Sequence, residues 1–183
     1  DYWDVNVNGT INLLKVMDIY DCRTIVFSSS ATIYGSTNIN PINESFNINP
    51  INPYGQTKAA VELLLRDLFN SSKNTWRIVN LRYFNPIGAH LSGLIGEDPF
   101  AIPNNLFPFV TRVAKGIYKK LYIFGNDWPT EDGTGIRDYI HVMDLAEAHV
   151  SSLEFLIKNH SEFMCLNIGT GKGTSVLELV ETF

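Results

Sequence analysis

Cysteine is scarce in this chain. Cys22 and Cys165 stand far apart and outside any Cys-x-x-Cys pairing, so neither a disulfide framework nor a zinc knuckle is supported, and a reducing cytoplasm is the expected compartment. Basic clusters are missing as well. Lysine and arginine number 14 against 19 aspartates and glutamates, a net charge of −5, and nothing longer than Lys119-Lys120 is available to track a phosphate backbone. Nucleic acid is therefore not an expected partner. No run of about 18 apolar residues occurs, and Asp1, Asp4, Lys15, Asp18 and Asp21 interrupt the stretch where a secretory leader needs continuous apolar sequence. No membrane association is expected. The chain starts at Asp1 without methionine and stops at Phe183 within a predicted helix, so both ends are expected to be cuts through a longer protein.

What is present is a globular composition. Of 183 residues, 45% are apolar and 18% charged, enough for one domain or one domain with part of another. Apolar residues at helical spacing from Val5 to Tyr20 precede a short β-branched run, Thr24 to Phe27, which ends in Ser28-Ser29-Ser30. An irregular loop rich in Asn and Pro follows from Ile39 to Pro53, then a broadly apolar helix from Pro53 to Asn70. The pattern continues with a strand at Ile78 to Phe84 and a long Gly/Pro-rich loop from Pro86 to Pro103, whose length marks it as functional. A helix at Leu106 to Gly116, a strand at Leu121 to Phe124 and a loop from Gly125 to Arg137 come next. Asp144 is read as the N-cap of a helix to Lys158, Met164 to Ile168 as a strand, and Ser175 onward as a helix. No internal repeat is visible. Alternating helices and apolar strands predict an α/β fold with a mostly parallel sheet covered on both faces.

The chemistry-bearing residues gather around one helical turn. Tyr54 and Lys58 lie four apart, so their side chains share a face. A cation about 4–6 Å from a phenol lowers its pKa by about 1–3 units, which brings a tyrosine toward service as a general base. Alone, the pair reads equally well as an exposed lysine beside a packed tyrosine. Ser28 to Ser30 change that weight, because the carboxyl end of a parallel strand is where open α/β sheets bind ligands. A serine there can hold the oxygen whose proton Tyr54 removes.

With these residues in place, a set of motifs resembles the extended short-chain dehydrogenase/reductase family and, within it, the UDP-glucose 4-epimerase group. They are Asn6-Val7-Asn8-Gly9-Thr10, Ser28 through Gly35, Pro53 through Lys58, Leu81 through Pro86, Gly96 through Pro99, Ile102 through Leu106, and Gly133 through Val142. The resemblance implies a Rossmann-like doubly wound parallel sheet lacking its N-terminal part, with residues 1–86 in the NAD-binding domain. Residues 87–183 would form part of a smaller UDP-sugar domain, interleaved with the sheet near 138–168. It implies NAD as cofactor and C4 epimerisation of UDP-glucose and UDP-galactose through a 4-keto intermediate. Ser30, Tyr54 and Lys58 would be catalytic, with Ser28, Tyr83 and Phe84 joining them at the cofactor. Asn85, Asn104, Asn105, Leu106, Arg137 and Tyr122, Ile123 and Phe124 would hold the UDP-hexose, and the full-length protein would be a homodimer.

Two rivals remain. A nucleotide-sugar 4,6-dehydratase needs an Asp-Glu just after the serine or threonine, where this chain has Ala31-Thr32, and a non-catalytic NAD-binding module needs no intact trio. No metal site is expected from Asp138, His141 and Asp144, which read as a capping Asp and a packed His. Gly169-Thr170-Gly171-Lys172-Gly173 lacks the third glycine of a dinucleotide fingerprint, because Thr174 follows, and reads as a tight turn. Glu97-Asp98 reads as solvated or capping, and Trp3, Trp76 and Trp128 as packing residues. The family's glycine-rich first turn is not in this sequence. The 183-residue piece alone is therefore expected not to bind NAD usefully or to epimerise; a calorimetric titration giving micromolar one-site NAD binding would contradict this.

Overall fold

The structure, a computed structural model, describes residues 1–37, 39–72 and 75–183. A π-helical run, Trp3–Asn8, continues into α1 (Gly9–Ile19), followed by β1 (Thr24–Ser30) and a 3-10 turn, Ala31–Tyr34. Then come α2 (Pro53–Ser71), β2 (Arg77–Tyr83), β3 (Asn85–Ile87), α3 (Leu106–Ala114), β4 (Ile136–Arg137) and β5 (Tyr139–His141). The chain closes with α4 (Val142–Lys158), β6 (Glu162–Ile168), β7 (Thr174–Ser175) and α5 (Val176–Thr182). Two compact units result: Asp1–Phe84 with Ala146–Ile168, and Asn85–Leu145 with Gly169–Phe183.

In the first unit β1, β2 and β6 form a parallel sheet in the order β1-β2-β6. Strand side chains alternate between faces, so each strand serves two cores. On one face Leu14, Val61, Leu65, Trp76 and Ile78 pack together, joining α1 and α2 to the sheet. On the other, Val79 and Leu81 meet Leu156 of α4. Each such aliphatic side chain, once buried, stabilises by about 1.5–3 kcal/mol. The predicted doubly covered parallel sheet is therefore present. α2 starts where its sequence dictates: the Asn52 side chain accepts from Gly55 N–H at 2.8 Å and Pro53 occupies the first turn.

In the second unit β3 pairs with β5 in parallel and β4 with β7 antiparallel. α5 opens on a capping box in which Ser175 and Glu178 satisfy each other's backbone N–H. Two expectations fail here. Leu121 to Phe124 is not a strand, because no neighbouring chain offers it a ladder among the described residues and its aromatic rings are exposed. Asp144 does not cap α4; the helix begins at Val142, which puts Asp144 inside the first turn. In the first unit Trp76 is buried as predicted, whereas Trp3 is 52% exposed.

The carboxyl end of the sheet holds a buried polar network that sequence reading did not find. Ser29, Arg82 and Asn167 are lateral neighbours in register across the three strands. Glu62, on α2, accepts from Arg82 Nη2 at 2.6 Å and Nε at 3.0 Å, and from the Ser29 hydroxyl at 2.5 Å. Arg82 Nη1 donates to Tyr34 Oη at 2.9 Å and to the Glu44 carbonyl at 3.1 Å, and Tyr34 donates on to Asn167 at 2.6 Å. Both ion-pair side chains are almost wholly buried, at 2% and 1% exposed. Burial by itself lowers the Arg82 pKa, but the Glu62 carboxylate outweighs it and the net shift is upward. Removing one partner strands a buried charge. Arg82→Met in the intact protein is expected to cost about 3–5 kcal/mol in denaturant unfolding, and adding Glu62→Leu to recover part of that loss.

Candidate functional site

The predicted trio meets at the carboxyl end of β1. Ser28-Ser29-Ser30 is split by strand alternation: Ser29 belongs to the buried network, which leaves Ser28 and Ser30 on the other face. Ser30 caps the 3-10 turn, its Oγ accepting from Thr32 N at 3.2 Å and from Thr32 Oγ1 at 3.0 Å. Tyr54 enters on the first turn of α2. That turn approaches so closely that a Cβ on Gly55 would lie 2.9 Å from the Thr32 carbonyl oxygen, so only glycine lets the two segments touch. Thr57, fully buried, braces the same turn by donating to the Tyr54 carbonyl at 2.8 Å and accepting from Asn6 at 2.9 Å.

The electrostatics differ from expectation. Burial pushes the Tyr54 phenol up, a hydrogen bond from Ser30 pulls it down, and the ring of Tyr2, edge-on at 5.7 Å, belongs to a second phenol that adds a small upward push. Lys58 is not among the influences on Tyr54. Its ammonium donates to the Ser28 carbonyl at 2.9 Å and lies over the Tyr54 ring, 5.6 Å from its centre. The expected depression of Tyr54 by Lys58 is thus absent from this geometry; the group that lowers the phenol is Ser30. Burial lowers the Lys58 pKa.

The same arrangement fits a ribose. An ammonium carries three donors, and Lys58 spends one on Ser28 with no other hydrogen-bond acceptor among the described residues. Ser28 and Tyr83 lie beside it, with the Tyr83 phenol raised by burial and lowered by its hydrogen bond to Ser28. Phe84 closes the end of β2, its N–H bonded to the Ile168 carbonyl at 3.1 Å. These are the residues read from sequence as the nicotinamide end of an NAD site. His149 of α4, which sequence reading overlooked, lies against Tyr83 and Ser28.

The second unit contains a cavity of about 380 Å³, within the range of small-molecule sites. Its walls include Asn85, Asn104, Asn105, Leu106, Tyr122, Ile123, Phe124 and Arg137, so all eight residues predicted for a UDP-sugar come together. Arg137 is exposed, donates only to the Ile136 carbonyl at 2.7 Å and has no ion-pair partner among the described residues. Asn105 precedes α3 without a side-chain cap; its amide donates instead to Glu97 at 3.1 Å. The first-turn N–H groups of α3 and the Arg137 fork are therefore available to an anion.

Trp128 and Tyr139 also line this cavity. Trp128 is 60% exposed, which corrects its reading as a packing residue. Its position in a Gly/Asp-rich loop beside Tyr122 and Phe124 was the available signal. Asp132 fixes the far wall, accepting from Thr134 N and Oγ1 at 2.8 and 2.7 Å and from the Ser175 hydroxyl, and these bonds hold its carboxyl below the usual range. Asp138 clamps the glycine-rich turn, accepting from Thr170 N and Oγ1 and from Gly171 N. Those N–H groups are committed to a carboxylate, which explains the glycines without a phosphate. Asp98 pairs with Arg112 at 3.4 Å, so Glu97-Asp98 supports loop structure.

Comparison with known proteins gives a consistent picture. Residues 1–169 match the model of the NAD dependent epimerase/dehydratase family. The chain is 55% identical to UDP-glucose 4-epimerase 4 of Oryza sativa subsp. japonica and 54% identical to UDP-glucose 4-epimerase of Bacillus subtilis, covering 100% of this chain and 49% and 53% of theirs. It spans about half the length of these curated relatives. Among solved structures it is similar to UDP-glucose 4-epimerase from Bifidobacterium longum in complex with NAD+ and UDP. That likeness has a TM-score of 0.91 at 47% identity, over 98% of this chain and 53% of that one. The enzyme from Stenotrophomonas maltophila with bound NAD and formylated UDP-arabinopyranose gives 0.93 at 48%, over 98% and 53%.

The geometry yields a pH prediction. The Ser30 hydrogen bond is the influence that lowers the Tyr54 phenol, so removing it raises that pKa further. Ser30→Ala in the intact protein should therefore move the rising limb of the pH–rate profile to higher pH and reduce turnover at neutral pH. Tyr54→Phe should cut kcat by about 10²–10⁴-fold while UDP affinity stays near wild type. Near-normal turnover of Tyr54→Phe would place the base elsewhere.

Proposed function

The chain belongs to the NAD dependent epimerase/dehydratase family, and on that footing we propose that it carries the catalytic half of a UDP-hexose 4-epimerase. The reaction interconverts UDP-glucose and UDP-galactose. The observation that carries the reading is the grouping of Ser30, Tyr54 and Lys58 at one strand end, with Ser30 close enough to lower the Tyr54 phenol and Lys58 anchored on the Ser28 carbonyl. Tyr54, as phenolate, takes the proton of the sugar 4-hydroxyl, and Ser30 steadies the oxygen during transfer. NAD, when bound, supplies the acceptor and later the donor of the C4 hydride. Lys58 holds the ribose hydroxyls of that cofactor with its uncommitted N–H groups. After the keto sugar turns its opposite face to the hydride donor, Tyr54 returns the proton to the 4-oxygen, and because the hydride taken from C4 is also given back, no net redox change remains.

The cavity of the second unit suits the nucleotide. Arg137 offers a planar fork to the diphosphate, the start of α3 adds N–H groups, and Tyr122 through Phe124 supply the uridine wall. Affinity drawn from UDP leaves the hexose loosely held, as turnover of the keto sugar requires. The dehydratase alternative is disfavoured by the 3-10 turn after Ser30, which holds Ala31, Thr32, Ile33 and Tyr34 and no carboxylate.

We infer a cytoplasmic homodimer. Two free cysteines suit a reducing compartment, and Leu13, Val16, Ile19 and Leu63 leave α1 and α2 with exposed apolar faces that a second copy would cover. Among the described residues no helix is long and apolar enough to cross a membrane. Given UDP-galactose, the intact protein should form UDP-glucose with no net change in the redox state of its NAD, followed by sugar-nucleotide chromatography and cofactor absorbance. A 4-keto-6-deoxy product would transfer the assignment to the dehydratases.

A further inference from the structure

The sheet face opposite the Glu62–Arg82 pair carries a smaller cluster with no role in the proton and hydride steps above. His149 lies on α4 seven residues before buried Leu156, two turns earlier on the same helix face, which meets the sheet. Its Nε2 is 3.4 Å from Tyr83 Oη and 3.5 Å from Ser28 Oγ, and its ring lies 5.7 Å from that of Tyr83, tilted by 58°. Ser28 lies close enough to the Tyr83 phenol to lower its pKa, and the Ser28 carbonyl receives the Lys58 ammonium at 2.9 Å. One imidazole nitrogen thus faces two hydroxyls, one of which belongs to the residue that anchors Lys58. A hydroxyl rotates freely unless a partner fixes its hydrogen, and a neutral imidazole nitrogen fixes it as donor or acceptor according to tautomer.

We propose that His149 is a positioning residue for the cofactor end of the site: it sets the direction of the Ser28 and Tyr83 hydroxyls and steadies the strand end that receives Lys58. Two hydroxyls of fixed direction meet a polar group of the cofactor in a defined orientation, which freely rotating ones do not. The proposal rests on the functional reading above. It also has a content of its own, because the direction of the Tyr83 phenol is a property of the protein.

The test uses the intact protein with His149→Leu and His149→Gln, since glutamine can place an amide where Nε2 lies. His149→Leu should lower kcat by about ten- to a hundredfold and speed loss of NAD on gel filtration, with UDP affinity unchanged. His149→Gln should recover most of both losses. In NMR of ring-labelled tyrosine, the Tyr83 resonance should move in the leucine variant and lie near its original position in the glutamine variant. Wild-type kcat, NAD retention and Tyr83 resonance in His149→Leu would overturn the proposal. So would a folded His149→Gln as impaired as leucine, because the ring would then act by packing alone. If His149→Leu fails to fold, the glutamine variant against wild type decides by the same resonance. A wild-type protein that neither holds NAD nor epimerises would remove the functional reading instead, and the Tyr83 resonance would still report on His149.

Discussion

The bidentate pair between Glu62 and Arg82 is the constraint on which the rest of the first unit depends. Two opposite charges held out of water are tolerable only when nearly every donor and lone pair is used. Here Arg82 spends Nε and Nη2 on Glu62 and Nη1 on Tyr34 and the Glu44 carbonyl, while Glu62 takes Ser29 as well. The demand for partners is what ties α2, the three strands, the 3-10 turn and the 42–44 segment to one point. Asn167 extends the tie by donating to the Ile42 carbonyl and accepting from Tyr34. Because Ser29 must face this network, alternation sends Ser28 and Ser30 to the opposite face. The chemistry of the strand end follows from a buried charge on its other side.

The proposed base works against its own environment. Burial opposes ionisation of Tyr54, and Ser30 is the group that favours it, so in the proposed reaction Ser30 would serve both the substrate oxygen and the phenol. Lys58 is held by the Ser28 carbonyl and the faces of Phe27 and Tyr54, which fixes a cation near the phenol without bonding to it. The second unit is built on a different plan. Among the described residues its cavity leaves Arg137 without an ion-pair partner and the start of α3 without a side-chain cap, while Asp132 and Asp138 spend their carboxylates on holding turns and strand ends. In the proposed site, anion recognition falls to a basic side chain and rigid support to acidic ones.

Much was legible in the linear order of residues. The parallel sheet, the helices around it, the Ser30, Tyr54 and Lys58 grouping and the eight cavity residues follow from local signals: β-branched runs, a Pro first turn, helical spacing and motif resemblance. Helix and strand periodicity are properties of adjacent residues, so sequence determines them. The Leu121 to Phe124 error shows the limit, since an apolar run becomes a strand only when another chain segment offers it a ladder.

What tertiary structure alone decided is partnership at long range. Glu62 and Arg82 are twenty residues apart, Tyr34 and Asn167 over a hundred, and nothing in either neighbourhood announces the other. The direction of the Tyr54 pKa shift could not be read from its spacing to Lys58, because spacing puts two side chains on one face without saying which atoms meet or how much water is excluded. His149 was invisible for the same reason. One histidine on an amphipathic helix acquires meaning only when the fold brings it to the ends of β1 and β2.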